Sequence, residues 1–165
     1  MITINTRVRS AVSADATQMN KLINAVIEAG GTTAYENQLD ADYIRHRFIA
    51  PDNNISCHVA ISNGRLSGFQ SLIWGYDNMP EGWAVIATFV GLDRAKMGIG
   101  QKLFSATRFA AKAADVKTID ATIRADNIGG LKYYGGLGFT DYDVLKQIPL
   151  RDGTPVDRIR KRLDL

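Results

Sequence analysis

The sequence predicts an α+β domain, layered, in which helices cover a mixed central β-sheet of about seven strands. Three observations carry this expectation. Two β-rich runs meet at Asn63-Gly64, the strongest short hairpin signal in the chain, so two of the strands are antiparallel neighbours. Beyond residue 83, apolar runs alternate with helical patterns, as strand-helix-strand crossovers require, so other strands pair in parallel. The 165 residues contain no repeat, low-complexity tract or Ser/Pro-rich linker, which makes residues 1–165 a single domain.

The elements follow in order. Arg7 to Val12 is short and β-compatible, and Ser13 is placed to cap a helix. Met19, Leu22, Ile23, Val26 and Ile27 recur at the spacing of one buried helical face, and Gly30-Gly31 ends it. A second helix spans about Asp40 to Ile49 and stops before Pro51. The hairpin strands are Ile55 to Ser62 and Arg65 to Trp74; Gly75 to Gly82 is a loop. Trp83 to Val90 is nearly all apolar, the mark of a central strand buried on both faces. Helical pattern returns from Gly98 to Ala114, with Leu103, Thr107, Ala110 and Ala114 on one face. A strand near Thr118 to Arg124, a short helix from Ile128 to Tyr134, and strands at Phe139 to Gln147 and Val156 to Leu163 complete the chain.

Composition excludes several classes. With 45% hydrophobic and 22% charged residues the chain is neither disordered nor fibrous. Twenty Lys and Arg against 17 Asp and Glu leave +3, too small an excess to predict a nucleic-acid or membrane partner. The single cysteine, Cys57, forbids an intramolecular disulfide and fits a reducing compartment. Asn5, Thr6, Arg7 and Arg9 stand where a signal peptide would be apolar, and no run approaches a membrane span, so a cytoplasmic location is expected. His46, Cys57 and His58 lack metal-ligand spacing, so no metal is expected. Cys57 and His58, adjacent on a strand, face opposite sides and cannot pair.

The informative stretch runs from Phe89 to Gln101, a buried strand leading through a basic, Gly-containing loop into a helix. Gly98 and Gly100 let backbone approach a ligand, and the helix start offers unsatisfied N–H groups and about half a positive charge, which suits a phosphate or pyrophosphate. Two glycines near a helix start serve packing equally well. A Walker loop is missing, and the dinucleotide fingerprint fails because its third glycine position holds Leu103. From Arg94 to Ala114 there are five basic residues, Arg94, Lys96, Lys102, Arg108 and Lys112, and no acidic one, as at a polyanion site.

These residues resemble the GNAT superfamily of N-acetyltransferases, whose signature is a strand ending in Val, a loop with two spaced glycines, and a helix. Val90, Gly98, Ile99 and Gly100 match it; downstream, Asn127, Tyr133-Tyr134 and Leu137-Gly138-Phe139 match the family's second motif. Gly30 to Glu36 resembles the subgroup containing phosphinothricin acetyltransferase. Two positions depart from the pattern, Ala95 for the usual Arg or Gln and Leu92 for the usual Pro.

The resemblance implies acetyl-CoA as co-substrate and a primary amine of a small molecule as acceptor, with direct transfer in a ternary complex. Thr88, Phe89 and Val90 would bond the pantetheine arm through backbone groups, and an N–H near Phe89 would stabilise the oxyanion, an effect of roughly 3 kcal/mol per donor. Lys96, Met97, Gly98, Ile99, Gly100 and Gln101 would hold the pyrophosphate, and Asn127 the CoA arm, although it also reads as a helix cap. Tyr134 would protonate the departing thiolate. Tyr133 points about 100° away on the helix and reads as packing.

Trp83 to Val90 contains no carboxylate for a general base; Glu36, Asp77 and Glu81 lie in loops that could border the acceptor, Glu36 being the best of them, and a water chain would also serve. Trp74 and Trp83 either wall the acceptor pocket or pack in the core. The missing strand carboxylate leaves an alternative, a non-catalytic acyl-CoA-binding or regulatory module. A nucleic-acid domain built on the basic run from Arg158 to Arg162 is a further alternative, but Arg158, Arg160 and Arg162 alternating on a terminal strand fit one solvated face equally well. Family habit alone favours a homodimer.

Overall fold

A computed structural model describes residues 4–94 and 97–165. β1 (Thr6–Ser10) leads through a 3-10 turn, Ser13–Asp15, into α1 (Ala16–Ala29). The entry to α1 differs from the expected Ser13 cap. Asp15 Oδ2 accepts the Val12 N–H at 2.8 Å, and the same carboxylate takes two bonds from the Arg9 guanidinium at 2.8 and 2.9 Å. The turn therefore starts one residue earlier than expected, with Val12 in the cap position and Asp15 bonding back to its N–H, while the Ser13 hydroxyl accepts from Arg45 Nε at 3.1 Å. Met19 and Ile23 are fully buried and Ile27 nearly so, about 1.5–3 kcal/mol of burial each. Gly30, at φ 73°, ends the helix as expected.

α2 (Ala41–Ile44) is capped by Asp40, whose side chain accepts the Tyr43 N–H, and continues as a wider π-turn over Arg45–Ile49. β2 (Asn54–Ser62) and β3 (Arg65–Trp74) form the expected hairpin, with Asn63 at φ 50° and Gly64 at φ 78°. Both central residues are left-handed, as a type I′ turn requires. β4 (Trp83–Val90), α3 (Ile99–Ala113), β5 (Thr118–Arg124) and α4 (Ile128–Gly136) follow, and β6 (Thr140–Pro149) with β7 (Pro155–Asp164) closes the chain as a second hairpin.

The seven strands form one mixed sheet in the order β1-β2-β3-β4-β5-β7-β6, with β4 and β5 the parallel pair. One face carries a core of Ala84, Ile86, Ile119, Ala121 and Ile123 against Phe104, Tyr134 and Phe139 from α3, α4 and the turn beyond α4. The other holds Met19, Ile23 and Ile27 of α1 with Phe48, Phe69 and Phe89. The stripe that α3 buries is Ile99, Leu103, Phe104, Thr107 and Ala111, so the expected Ala110 and Ala114 sit at its margin.

β4 departs from the expected burial on both faces. Trp83, Val85, Ala87, Thr88 and Val90 are only partly covered, the last three lying beyond the point where the neighbouring strand β5 leaves β4.

Candidate active site

The parting of β4 from β5 creates the site. They pair only over Trp83–Val85 and Thr118–Asp120. Beyond that, β4 stays with β3 as far as Val90, while β5 stays with β7 as far as Arg124. The wedge between them exposes one backbone edge of β4. Alternation fixes which residues own it: the Trp83 carbonyl accepts from Gly75 and the Gly91 N–H donates to Ser67, so odd-numbered residues bond β3. The Gly82 carbonyl accepts from Lys117 on the β5 side, so even-numbered residues face β5. Thr88 and Val90 therefore present N–H and C=O to the wedge. The expectation of a donor near Phe89 narrows to these two neighbours, since Phe89 turns its own backbone to β3 and buries its ring 5.1 Å from Phe69 and 5.8 Å from Phe48.

At the mouth of the wedge, β4 ends in Gly91, a 3-10 turn at Leu92–Arg94 and the start of α3. Lys96 lies outside the described residues. Gly98 caps α3 in the left-handed region, φ 75° and ψ 8°, with open space around its Cα, so it is there for its backbone angle. Among the described residues, the first bond of the helix ladder is from Lys102 N to Gly98 O, and the N–H groups of Ile99, Gly100 and Gln101 find no acceptor there, as at any helix start. Met97 and Gln101 are exposed beside this turn, and Ile99 is buried beneath it. Lys102, Arg108 and Lys112 are all exposed along α3.

Gly100 answers to a different constraint. A Cβ there would stand 2.6 Å from Tyr133 Cε2. The Tyr133 hydroxyl donates to the Gly100 carbonyl at 2.7 Å and accepts from Gln70 Nε2 at 3.1 Å. Gln70 also donates to Thr88 Oγ1 at 2.8 Å, and Thr88 Oγ1 lies 2.8 Å from the Tyr134 hydroxyl. One network thus ties β3, β4, α3 and α4 together, with both tyrosine hydroxyls beside the free edge of β4. Burial pushes Tyr133 up to about 12, against the lowering effect of Gln70 and Thr88. Burial drives Tyr134 higher still, against its bond to Thr88. Both therefore remain proton donors at neutral pH.

Asn127 realises its capping reading: Oδ1 accepts the Gly130 N–H at 2.9 Å, and Nδ2 donates to the Thr32 carbonyl at 3.1 Å. Gly130 must lack a side chain because Nδ2 lies 2.5 Å from where its Cβ would be. Arg124 binds the Thr33 carbonyl at 3.1 Å, so the segment after α1 is moored to the end of β5.

The loop carboxylates stand away from the wedge or are engaged. Glu36 Oε2 accepts the Arg151 N–H at 2.9 Å, and Asp77 and Glu81 are exposed at the opposite end of β4 from the Gly98 turn. Trp74 packs on the α3-side core; Trp83 lies edge-on to Tyr142 with Arg162 4.8 Å above its ring. Cys57 is buried, its thiol pushed up to about 12, and burial lowers His58, so neither is a ready nucleophile or base.

The residue that sequence reasoning missed is Asp120, only 3% exposed, paired in register with Val85 where the strands part. Its signal is a lone acid on an otherwise core-like strand, which gains meaning only from that register.

The fold is shared with solved acetyltransferases. A phosphinothricin acetyltransferase of Sinorhizobium meliloti, solved in complex with AcCoA, superposes with a TM-score of 0.86 at 19% identity, covering 97% of this chain and 88% of that one. The yncA protein of Salmonella typhimurium, with its cofactor acetyl-CoA, gives 0.80 at 20% identity over 97% and 94%. A ribosomal-protein-alanine N-acetyltransferase of Brucella melitensis gives 0.83 at 21% over 96% and 99%. No curated protein matches the sequence. A family model for the acetyltransferase (GNAT) family matches residues 21–139, most of the chain and every part of the wedge, and the chain belongs to that family.

Proposed function

We propose that the protein transfers an acetyl group from acetyl-CoA to a primary amine of a small molecule, directly and in a ternary complex. The observation that carries this reading is the free β4 edge ending in a capped, anion-competent helix start, with Tyr134 beside it. The acetyl-CoA-bound relatives of the same fold support the choice of donor.

The parts of the site match the donor's parts. Thr88 and Val90 offer backbone groups to an amide-bearing arm, as an added strand would receive. Met97, Gly98, Ile99, Gly100 and Gln101 offer the turn and the N–H groups of α3 to a pyrophosphate. Lys96 extends the basic run beside them. The thioester supplies an activated acetyl carbon and a thiolate leaving group. An N–H of the β4 edge polarises its carbonyl, and the Tyr134 hydroxyl protonates the sulfur. Holding amine and thioester together supplies much of the rate without a covalent enzyme intermediate.

Thiol release from acetyl-CoA, measured over a panel of amino acids, polyamines, aminoglycosides and an N-terminal peptide, tests the reading. Turnover with a small amine supports it. Turnover with the peptide alone moves the acceptor to a protein N-terminus, and thiol release with none of them contradicts the reading.

A further inference from the structure

Resting on that acetyl-transfer reading, we propose that Asp120 is the terminal proton acceptor for the incoming ammonium, reached through the hydroxyl of Thr122. The pairing of Asp120 with Val85 sets it at the closed end of the wedge, and parallel partners send their side chains to one face. That face is the one carrying Ala87 and Phe89, opposite the face from which α4 brings Tyr134. Acid and proton acceptor thus flank the gap from opposite faces of the sheet, so the amine and the sulfur of the tetrahedral intermediate can each meet a different group. The two sense each other: the Asp120 charge is among the influences raising Tyr134, after burial and Tyr133.

The bonding of Asp120 leaves it capacity. The other strongly buried carboxylate among the described residues, Asp15, is saturated by two Arg9 bonds and a backbone N–H. Asp120 Oδ1 accepts the Tyr142 hydroxyl from β6 and stands 3.5 Å from Arg160 Nε of β7, a loose pair because Arg160 also reaches Asp143 at 3.4 Å. Arg162, the β7 residue in register with Asp120, is engaged with Asp164 and lies over Trp83. Oδ2 accepts one long bond, 3.2 Å, from Thr122 Oγ1, where a carboxylate oxygen can accept two. Thr122 lies two residues along the same strand face and is exposed. A buried carboxyl group with an exposed hydroxyl on its spare oxygen forms a proton path from solvent-side substrate to protein.

The balance closes. The ammonium gives one proton to Thr122 Oγ1 as the Thr122 proton passes to Asp120 Oδ2. The freed lone pair forms the C–N bond, the C–S bond breaks with its electron pair on sulfur, and Tyr134 protonates that sulfur. The second nitrogen proton restores Tyr134, and Asp120 returns its proton to solvent through Thr122.

The test is kcat/KM for whichever panel amine the wild type acetylates, from pH 6.5 to above the amine's own pKa, in Thr122→Val, Thr122→Ser and Asp120→Asn. At pH 7 the Val and Asn variants should lose about 100-fold or more, the range of general acid–base catalysis. The deficit should shrink as pH rises and the amine deprotonates unaided, and Thr122→Ser should stay within about threefold of wild type. Acetyl-CoA affinity by calorimetry should hold within twofold, which separates the proton path from damage to the fold. A deficit equal at all pH values, or full activity in Thr122→Val, overturns the proposal. Absence of wild-type turnover with every amine overturns the parent reading and this one with it.

Discussion

Gly100→Ala separates two explanations of the same glycine. If the glycine exists so that phosphate can approach, alanine weakens ligand binding and leaves the free protein slightly more stable, since Ala exceeds Gly in a helix by about 1 kcal/mol. The structure requires the reverse sign. The new methyl would sit 2.6 Å from Tyr133 Cε2 and 3.0 Å from Cζ, so the ring must move. Overpacking of this kind costs about 1–3 kcal/mol, and displacing the ring weakens the bonds of its hydroxyl to Gly100 and Gln70, roughly 0.5–1.5 kcal/mol each. After the helix-propensity gain, the expected loss is about 2 kcal/mol, or about 4–8 °C in Tm for a chain of this size. Thermal and urea unfolding of wild type, Gly100→Ala, Tyr133→Ala and the double variant form a cycle. In the Tyr133→Ala background, Gly100→Ala should cost nothing or stabilise by up to about 1 kcal/mol. Gly100→Ala as stable as wild type, or equally damaging in both backgrounds, would refute the packing explanation. Gly98→Ala is the control, destabilised by about 1–2 kcal/mol through its left-handed φ, whatever residue 133 is.

Other perturbations have defined outcomes. Tyr134→Phe should cut kcat by about 100-fold or more while lowering stability by only about 1 kcal/mol, the worth of its bond to Thr88; undiminished turnover would remove the acid role. Asp15→Asn should destabilise by about 1–3 kcal/mol at pH 7, read by urea unfolding. Arg9 holds the Asp15 carboxyl below the ordinary range, so its contribution is complete above the unfolded-state value near pH 4 and disappears as pH falls through the lower folded value. The Asn variant should therefore lose its disadvantage at strongly acid pH. Asn127→Ala removes both the α4 cap and the tether to Thr32, which should cost about 1–2 kcal/mol and raise amide exchange over residues 31–35.

Local chemistry made much of the fold legible. Asn63-Gly64 needs only two left-handed residues to make its turn, and the α1 stripe needs only helical periodicity, so both could be read without knowing any partner. The stretch proposed to bind acetyl-CoA is likewise visible as strand, glycine turn and basic helix. What stayed hidden depends on register. Whether Thr88 or Phe89 offers its N–H to the wedge is decided by pairing with β3, and Gly100 looks like a ligand glycine until Tyr133 is folded against it. Asp120 was one strand acid among many until the three-residue pairing of β4 with β5 set it at the end of the gap. The cap falls at Val12 and not at Ser13 for a comparable reason, since the Asp15 carboxylate that bonds back to the Val12 N–H is held in place by Arg9 on β1.

The central claim is that the open edge of β4 and the start of α3 form one site for acetyl-CoA. Isothermal titration of the purified protein with acetyl-CoA tests it without any knowledge of the acceptor. Saturable binding of one molecule per chain, at concentrations below millimolar, is the predicted result. No binding heat at millimolar acetyl-CoA, across temperatures chosen to avoid a zero-enthalpy crossing, would contradict it.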